Sequence, residues 1–234
     1  MNILNWLFGI RSTQPPNEFL DPESQGRYRI VRLHPSGEGY ASAALAPDIP
    51  LGQSRIGGPI IDLPEGFEHP DDLFFVAQLD LAWLAPCAAR ETLLPADHGF
   101  LYFFMSDSVV AQVHYFPGTA QELRRTVREH DDWFCDGITL SGWSEEDEVL
   151  AERFQPNGDW DHFAGMEKTK IGGFPSNPQW HEEDVALALA DDRKQLLLQV
   201  GEDVTQEGCL CYFIDAVDLH QKRFDRCKAV WGQT

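Results

Sequence analysis

Short apolar runs, broken by polar stretches that carry glycine and proline, recur along this chain, and their length suits strands better than long helices. Phe75-Val76-Ala77-Gln78-Leu79-Asp80 and Leu196-Leu197-Leu198-Gln199-Val200-Gly201 are two such runs, each with one glutamine among apolar residues. Strand periodicity places Phe75, Ala77, Leu79 and Leu81 on one face of the first, and Phe74, Val76, Gln78 and Asp80 on the other. In the second run, Gln195, Leu197, Gln199 and Gly201 take the face equivalent to that of Gln78. Gly99-Phe100-Leu101-Tyr102-Phe103-Phe104 and Gly208-Cys209-Leu210-Cys211-Tyr212-Phe213 are apolar on both faces, as a strand covered on both sides requires. Val109 to Phe116 reads as a further strand. Helical signals are sparser. Ala120 to His130, with Leu123 and Val127 four apart and Thr119 as N-cap, predicts one helix. Ser144-Glu145-Glu146-Asp147 predicts the start of another, because carboxylates favour a helix N-terminus and Ser144 with Asp147 satisfies a relaxed capping box. Glu182 to Ala190 fits either a helix or a strand. The fold expected is α+β: mostly antiparallel sheets with a few helices.

The runs recur in order. Ser54-Arg55-Ile56-Gly57-Gly58-Pro59 returns as Thr169-Lys170-Ile171-Gly172-Gly173-Phe174-Pro175, each with a hydroxyl residue, a base, an isoleucine, two glycines and a proline. The two glutamine runs follow, then the two Gly-x-Leu-x-aromatic runs, with Asp107 and Asp215 after them. This predicts two pseudo-repeated halves, about 54–116 and 169–215, inside one domain spanning 23–234. Residues 1–22 are expected to be an apolar segment, with Ile3, Leu4, Leu7, Phe8 and Ile10 on one helical face, followed by a linker around Pro15-Pro16. That segment has neither the basic start of a signal peptide nor the ~20 residues of a membrane span, and is expected to dock on its own domain.

Charge changes the functional picture more than it changes the fold. With 18 Lys+Arg against 38 Asp+Glu the net charge is −20, and the stretch 131–203 holds 18 acids against 5 bases, a local net of −13. Nucleic acid and anionic membrane surfaces require the opposite sign. A basic protein partner would be attracted, and Glu145, Glu146, Asp147 and Glu148 form the densest acidic run to receive it. The five cysteines, an odd set without framework spacing, suggest a reducing, cytoplasmic compartment.

Catalytic patterns are missing from the sequence: no H-E-x-x-H, P-loop, G-x-S-x-G or dinucleotide fingerprint occurs, and no cofactor is implied. Cys209 and Cys211 share a strand face but lack the knuckle spacing and further ligands of a zinc site, so they read as small core residues and no metal is expected. Asp159-Trp160-Asp161-His162 lacks the ligand ladder of a calcium loop and reads as a solvated turn. The polar residues that stand out are Gln78 and Gln199. A buried amide must find partners, so each is expected to pin backbone between the halves. The alternative is that they line a cleft at the junction, where Arg55, Gln78, Lys170 and Gln199 would converge on a small ligand.

These blocks resemble the YwqG-like family, a set of bacterial domains of unknown function, on Ile56-Gly57-Gly58-Pro59, Ala77-Gln78-Leu79-Asp80, Leu94-Pro95 with Gly99 to Phe104, Lys170 to Pro175, Leu196 to Val200, Gly208 to Phe213 and Val230-Trp231. The resemblance covers roughly Gln53 to the C-terminus and is weaker over Leu84 to Thr92 and Ser106 to Met166. It implies a β-rich α+β fold without a transferable activity, and an immunity-type role, since some members are thought to lie near genes for secreted toxins. The leading expectation is therefore a non-enzymatic, acidic interaction domain, an immunity-type inhibitor of a basic partner. A ligand-binding or enzymatic domain with its site at the junction is the alternative, and a structural or homodimeric scaffold the third reading.

Overall fold

The computed structural model describes residues 26–45, 48–94, 96–128, 133–181 and 194–233. The N-terminal apolar segment, the linker and the Glu182–Ala190 stretch lie outside the described residues. The strands are β1 (Arg27–Tyr40), β2 (Arg55–Ile56), β3 (Ile60–Pro64), β4 (Phe74–Asp80), β5 (Phe100–Met105) and β6 (Ala111–Phe116). They continue with β7 (Leu123–Val127), β8 (Gly137–Val149), β9 (Lys170–Ile171), β10 (Lys194–Val200), β11 (Cys209–Asp215) and β12 (Lys228–Gly232).

Ten of these strands build one antiparallel sheet in the order β12-β11-β10-β9-β1-β8-β2-β4-β5-β6, while β3 and β7 form a separate ribbon. The two long strands, β1 and β8, pair at its centre from Arg27↔Val149 to Tyr40↔Gly137. On each side of this pair stands a two-residue strand, β2 or β9, followed by three longer strands. The register matches as well: Arg55 lies opposite Gln78, and Lys170 opposite Gln199. The sheet curls into a nearly closed barrel. Across its interior the Tyr212 hydroxyl donates to the Phe104 carbonyl at 3.1 Å, and the Phe103 and Tyr212 rings meet edge to face at 5.1 Å.

This is an all-β architecture, and the α+β expectation is corrected. Among the described residues the α-helical segments, α1 (Leu81–Leu84), α2 (Arg90–Leu93), α3 (Glu202–Thr205) and α4 (Ala216–His220), run to four or five residues each. The helix expected from Ala120 lasts one 3-10 turn, Ala120–Glu122, closed by the Thr119–Glu122 capping box. The chain then extends as β7, with Leu123 buried and Val127 48% exposed, so the two do not share the buried face that a helix would give them. The helix expected from Ser144 is the second half of β8, because β1 offers it a continuous ladder and tertiary partners take up its carboxylates.

Glutamine-run faces also differ from strict alternation. A bulge between Phe75 and Ala77 in β4, and another between Leu196 and Leu198 in β10, shift each register by one residue. Phe75 therefore leaves the face of Ala77 and Leu79 and packs with Phe104 outside the barrel. Leu197 likewise turns inward, away from Gln199, while Leu196 packs outside.

Side chains fill the barrel. Val31, Leu33, Ile56, Ala77, Leu79, Leu101, Phe103, Ile171, Leu198, Leu210 and Tyr212 belong to one buried cluster. Each half then buries its outer face separately. The β3–β7 ribbon lays Ile61, Leu63 and Leu123 over Phe75, Phe100, Tyr102 and Phe104. Leu150, Trp160, Phe174 and Trp180 cover Leu196, Cys211, Phe213 and Val230 on the other half. Strands β5 and β11 are thus apolar on both faces because both faces are covered.

Candidate functional site

Each cover encloses a buried charged cell. In both, a two-residue strand points its isoleucine, Ile56 or Ile171, into the barrel and its base, Arg55 or Lys170, outward beneath the cover. Two glycines then reverse the chain. Gly57 and Gly58 have φ of 60° and 78°, and Gly172 and Gly173 have 79° and 77°, a left-handed backbone that side chains disfavour. A Cβ on Gly58 would lie 2.6 Å from Gly137 Cα, and one on Gly173 would lie 2.5 Å from Glu148 Oε2. Both turns dock by the same bond: Gly57 N donates to Val76 O at 2.8 Å and Gly172 N to Leu196 O at 2.9 Å.

In the first cell Arg55, Asp62 and Gln78 have no exposed surface. Arg55 Nη2 donates to Asp62 Oδ2, which also accepts from Gly52 N at 2.8 Å, while Arg125 Nε reaches Asp62 Oδ1 at 2.9 Å. Gln78 Oε1 accepts from Asp62 N at 3.0 Å and Arg55 Nη2 at 3.4 Å, and its amide donates to Gln53 O at 3.4 Å. Burial pushes the Asp62 carboxyl up, but the Arg125 hydrogen bond, the Arg55 charge and the Gly52 N–H outweigh it and hold the group below its ordinary range.

The second cell is built from Lys170, Glu148, Arg153, Ser176 and Gln199, all 5% exposed or less. Lys170 Nζ donates to Glu148 Oε1 at 2.5 Å and to Phe174 O at 2.6 Å. Arg153 donates to Ser176 Oγ and Phe174 O at 3.0 Å each, and to Ala164 O. Gln199 makes three bonds of 2.9 Å, accepting from Ser176 N and donating to Gly165 O and Lys168 O. Burial raises Glu148, yet the Lys170 and Arg153 charges bring it below the ordinary value. For Lys170 burial wins over Glu148 and lowers the ammonium to about 8.

The structure thus brings Arg55 together with Gln78, and Lys170 together with Gln199, but in two different cells. Strands β1 and β8 stand between β2 and β9, so the bases are three strand spacings apart along the sheet, roughly 14 Å. Each glutamine pins backbone inside its own half.

The acidic run is dispersed by its strand. Glu148 is buried in the second cell. Glu145 accepts from Ala88 N and from Ala89 N at 3.3 Å, Asp147 meets Arg29 Nε at 2.9 Å, and Glu146 meets Lys168 at 3.4 Å. The most exposed of the four is Asp147.

Sequence reading missed Asp62, Arg125, Arg153 and Ser176. Asp62 did leave a signal, an acid inside the apolar run Ile60-Ile61-Asp62-Leu63. Arg125 was hidden by the helix expected there, and Arg153 and Ser176 lie outside the recurring blocks.

Cys209 and Cys211 pack as core. The Cys209 thiol donates to Met166 O at 3.2 Å, and Cys211 Sγ lies 3.6 Å from Ser176 O and from Gln199 Oε1. Burial pushes the Cys211 thiol up to about 12. Among the described residues, no group of three or more His, Cys, Asp or Glu is placed to hold a metal ion, and no helix is long and apolar enough to cross a membrane.

The molecule is therefore an all-β, barrel-like domain with a charged cell under each flank. It belongs to the family described as Domain of unknown function (DUF1963), whose model matches residues 54–232. The match begins after β1, although β1 supplies the central partner of both β8 and β9, so the sheet extends beyond the family span on its N-terminal side. No curated protein matches the chain.

Proposed function

We propose that the chain is an acidic protein-interaction domain that receives a basic protein partner on its exterior. The observation that carries this reading is the charge balance of the interior. Three buried cations, Arg55, Arg153 and Lys170, are matched in number by three buried carboxylates, Asp62, Glu148 and Asp218, the last paired with the partly exposed Arg223, so the described core hides none of the net −20. Outside the core, Arg29, Arg32, Lys168 and Arg223 are engaged by carboxylates of the same chain. The exterior is left with a negative field that steers a basic surface toward it. The likeness of the recurring blocks to the YwqG-like family supports an immunity-type inhibitor, and the five free cysteines support a reducing, cytoplasmic setting. The matched places of Arg55 and Lys170, and of Gln78 and Gln199, support an origin by internal duplication.

The reading is tested by immobilising the full chain, capturing partners from native lysate at low salt and eluting with a salt gradient. Expected is a basic partner released as salt rises, bound more weakly when Glu145, Glu146 and Asp147 are changed to Gln or Asn. Glu148 is left intact because it holds the second cell. A partner held equally at all salt concentrations, and by the neutralised variant, overturns the reading.

A further inference from the structure

The ribbon over the first half has two unlike edges. Its ladder bonds fix which backbone groups face where: Glu65 N donates to Glu122 O at 3.2 Å, and Arg128 N to Pro59 O at 2.8 Å. By strand alternation Arg124 and Thr126 turn their N–H and C=O toward β3, while Arg125 and Val127 turn theirs away from it. The outer edge of β3 is met by the barrel, where Asp62 N reaches Gln78 Oε1 at 3.0 Å. The outer edge of β7 is open: among the described residues β7 pairs with β3 alone. Burial agrees, since Ile60, Ile61, Asp62 and Leu63 are all buried, whereas Val127 is 48% exposed and the Arg124 side chain 67%. The edges of the large sheet differ, for β6 and β12 approach each other where the barrel nearly closes, and Tyr115 of β6 packs on Phe224 at 5.9 Å. An open edge is a template for a further strand.

We propose that the open edge of β7 takes up an extended segment of a partner polypeptide as an added strand, with carboxylates at alternate positions. Arg125 and Val127 supply the N–H and C=O groups that hold its backbone. Residues of the added strand opposite these two place apolar side chains beside Val127, covering a valine that is now exposed. Residues opposite Arg124 and Thr126 stand on the other face, where a carboxylate meets the Arg124 guanidinium. Charge favours this occupant, because β7 reads Leu-Arg-Arg-Thr-Val, with two bases and no acid. Arg124 is held by Glu65 in a pair of two exposed side chains, which a cross-strand carboxylate can replace, while Arg125 keeps its bonds to Asp62. A second copy of the chain is the poorer occupant. The antiparallel register that pairs β7 with itself from Leu123 to Val127 sets Arg125 against Arg125, and each copy brings a net charge of −20. The edge lies apart from the acidic run of β8 and takes the opposite charge, so it stands independently of a basic partner bound elsewhere on the exterior.

The probe is the peptide Val-Glu-Val-Glu-Val-Glu-Val, amidated at its C-terminus and labelled with fluorescein at its N-terminus, titrated with the full chain by fluorescence anisotropy. Physiological ionic strength screens the repulsion from the rest of the chain beyond about 8 Å. One peptide binds per chain, and its counterpart with glutamine in place of glutamate binds several-fold more weakly. Arg124→Gln abolishes that preference. Val127→Pro removes an outward N–H that belongs to no ladder bond, and abolishes binding. A probe with N-methylated valines fails in the same way without any change to the protein, whereas N-methylated glutamates, whose N–H groups point away from β7, leave binding intact. Absence of binding, equal binding of the glutamate and glutamine probes, or equal binding of the two N-methylated probes overturns the proposal. So does a dimer in sedimentation that Val127→Pro dissolves, for a second copy would then occupy the edge.

Discussion

Replacing Asp62 by Asn keeps the size of the side chain and an acceptor for Gly52 N–H, and removes only the charge that faces Arg55 and Arg125. Arg125, with 30% of its side chain exposed, can turn to water, but Arg55 has no exposed surface and cannot. The variant therefore strands one buried guanidinium, a change that costs about 3–5 kcal/mol. For a chain of this length, that corresponds to a fall in Tm of roughly 6–20 °C. Urea unfolding followed by tryptophan fluorescence measures it directly. Adding Arg55→Met to Asp62→Asn should restore part of the loss, with a coupling of about 1.5 kcal/mol or more between the two positions. The pH dependence has a definite sign. Asp62 titrates below its ordinary value in the folded protein, so its contribution is fully present above about pH 4 and disappears as pH falls through the folded pKa. The gap between parent and variant must close in acid. A cost below about 1 kcal/mol at neutral pH, or a gap that persists in acid, refutes the placement of Asp62 as the counter-charge of a buried Arg55.

Gln199→Ala should be more destabilising than Gln78→Ala, since it removes three bonds of 2.9 Å to backbone groups, where Gln78 makes one of 3.0 Å and two of 3.4 Å; chemical denaturation of the pair ranks them. Each backbone group left buried and unpaired costs about 1–3 kcal/mol. Lys170, lowered to about 8 by burial, releases its proton in the folded state before the unfolded chain does, so parent stability should rise relative to Lys170→Met between pH 8 and 10, by up to about 1.4 kcal/mol per pH unit. A difference that stays flat across that range contradicts this. Burial raises all five thiols, Cys87 to about 11, Cys135 and Cys211 to about 12, and Cys209 and Cys227 higher still. A chromogenic disulfide reagent at pH 8 should therefore label them only as the protein unfolds, and five fast equivalents in the native state would show the thiols to be accessible.

How far the sequence carried depends on whether the decisive contacts are local. The apolar runs of β4, β5, β10 and β11 were legible because their own residues state the burial on both faces. The Gly-Gly turns were legible because only glycine tolerates their backbone. The helices expected at Ala120 and Ser144 failed for a common reason. Strand pairing with distant residues, Ile60–Pro64 in one case and β1 in the other, outweighed local propensity and capping. The bulges in β4 and β10 were invisible for the same reason, since nothing within Phe75-Val76-Ala77 or Leu196-Leu197-Leu198 announces that two residues will oppose one across the ladder. The cells were half legible. Arg55, Gln78, Lys170 and Gln199 stood out as polar residues beside apolar strands, but their counter-charges come from other elements. Glu148 was named for its place in an acidic run, and its burial became visible only once β8 was seen to run beneath the second cover.

The two charged cells are alike in construction and separate in space. Asp62→Asn and Glu148→Gln, measured singly and together by urea unfolding, test this directly. Separate cells predict costs that add within about 0.5 kcal/mol. A coupling above about 1 kcal/mol would mean that the two clusters share one site, contrary to the structure described here.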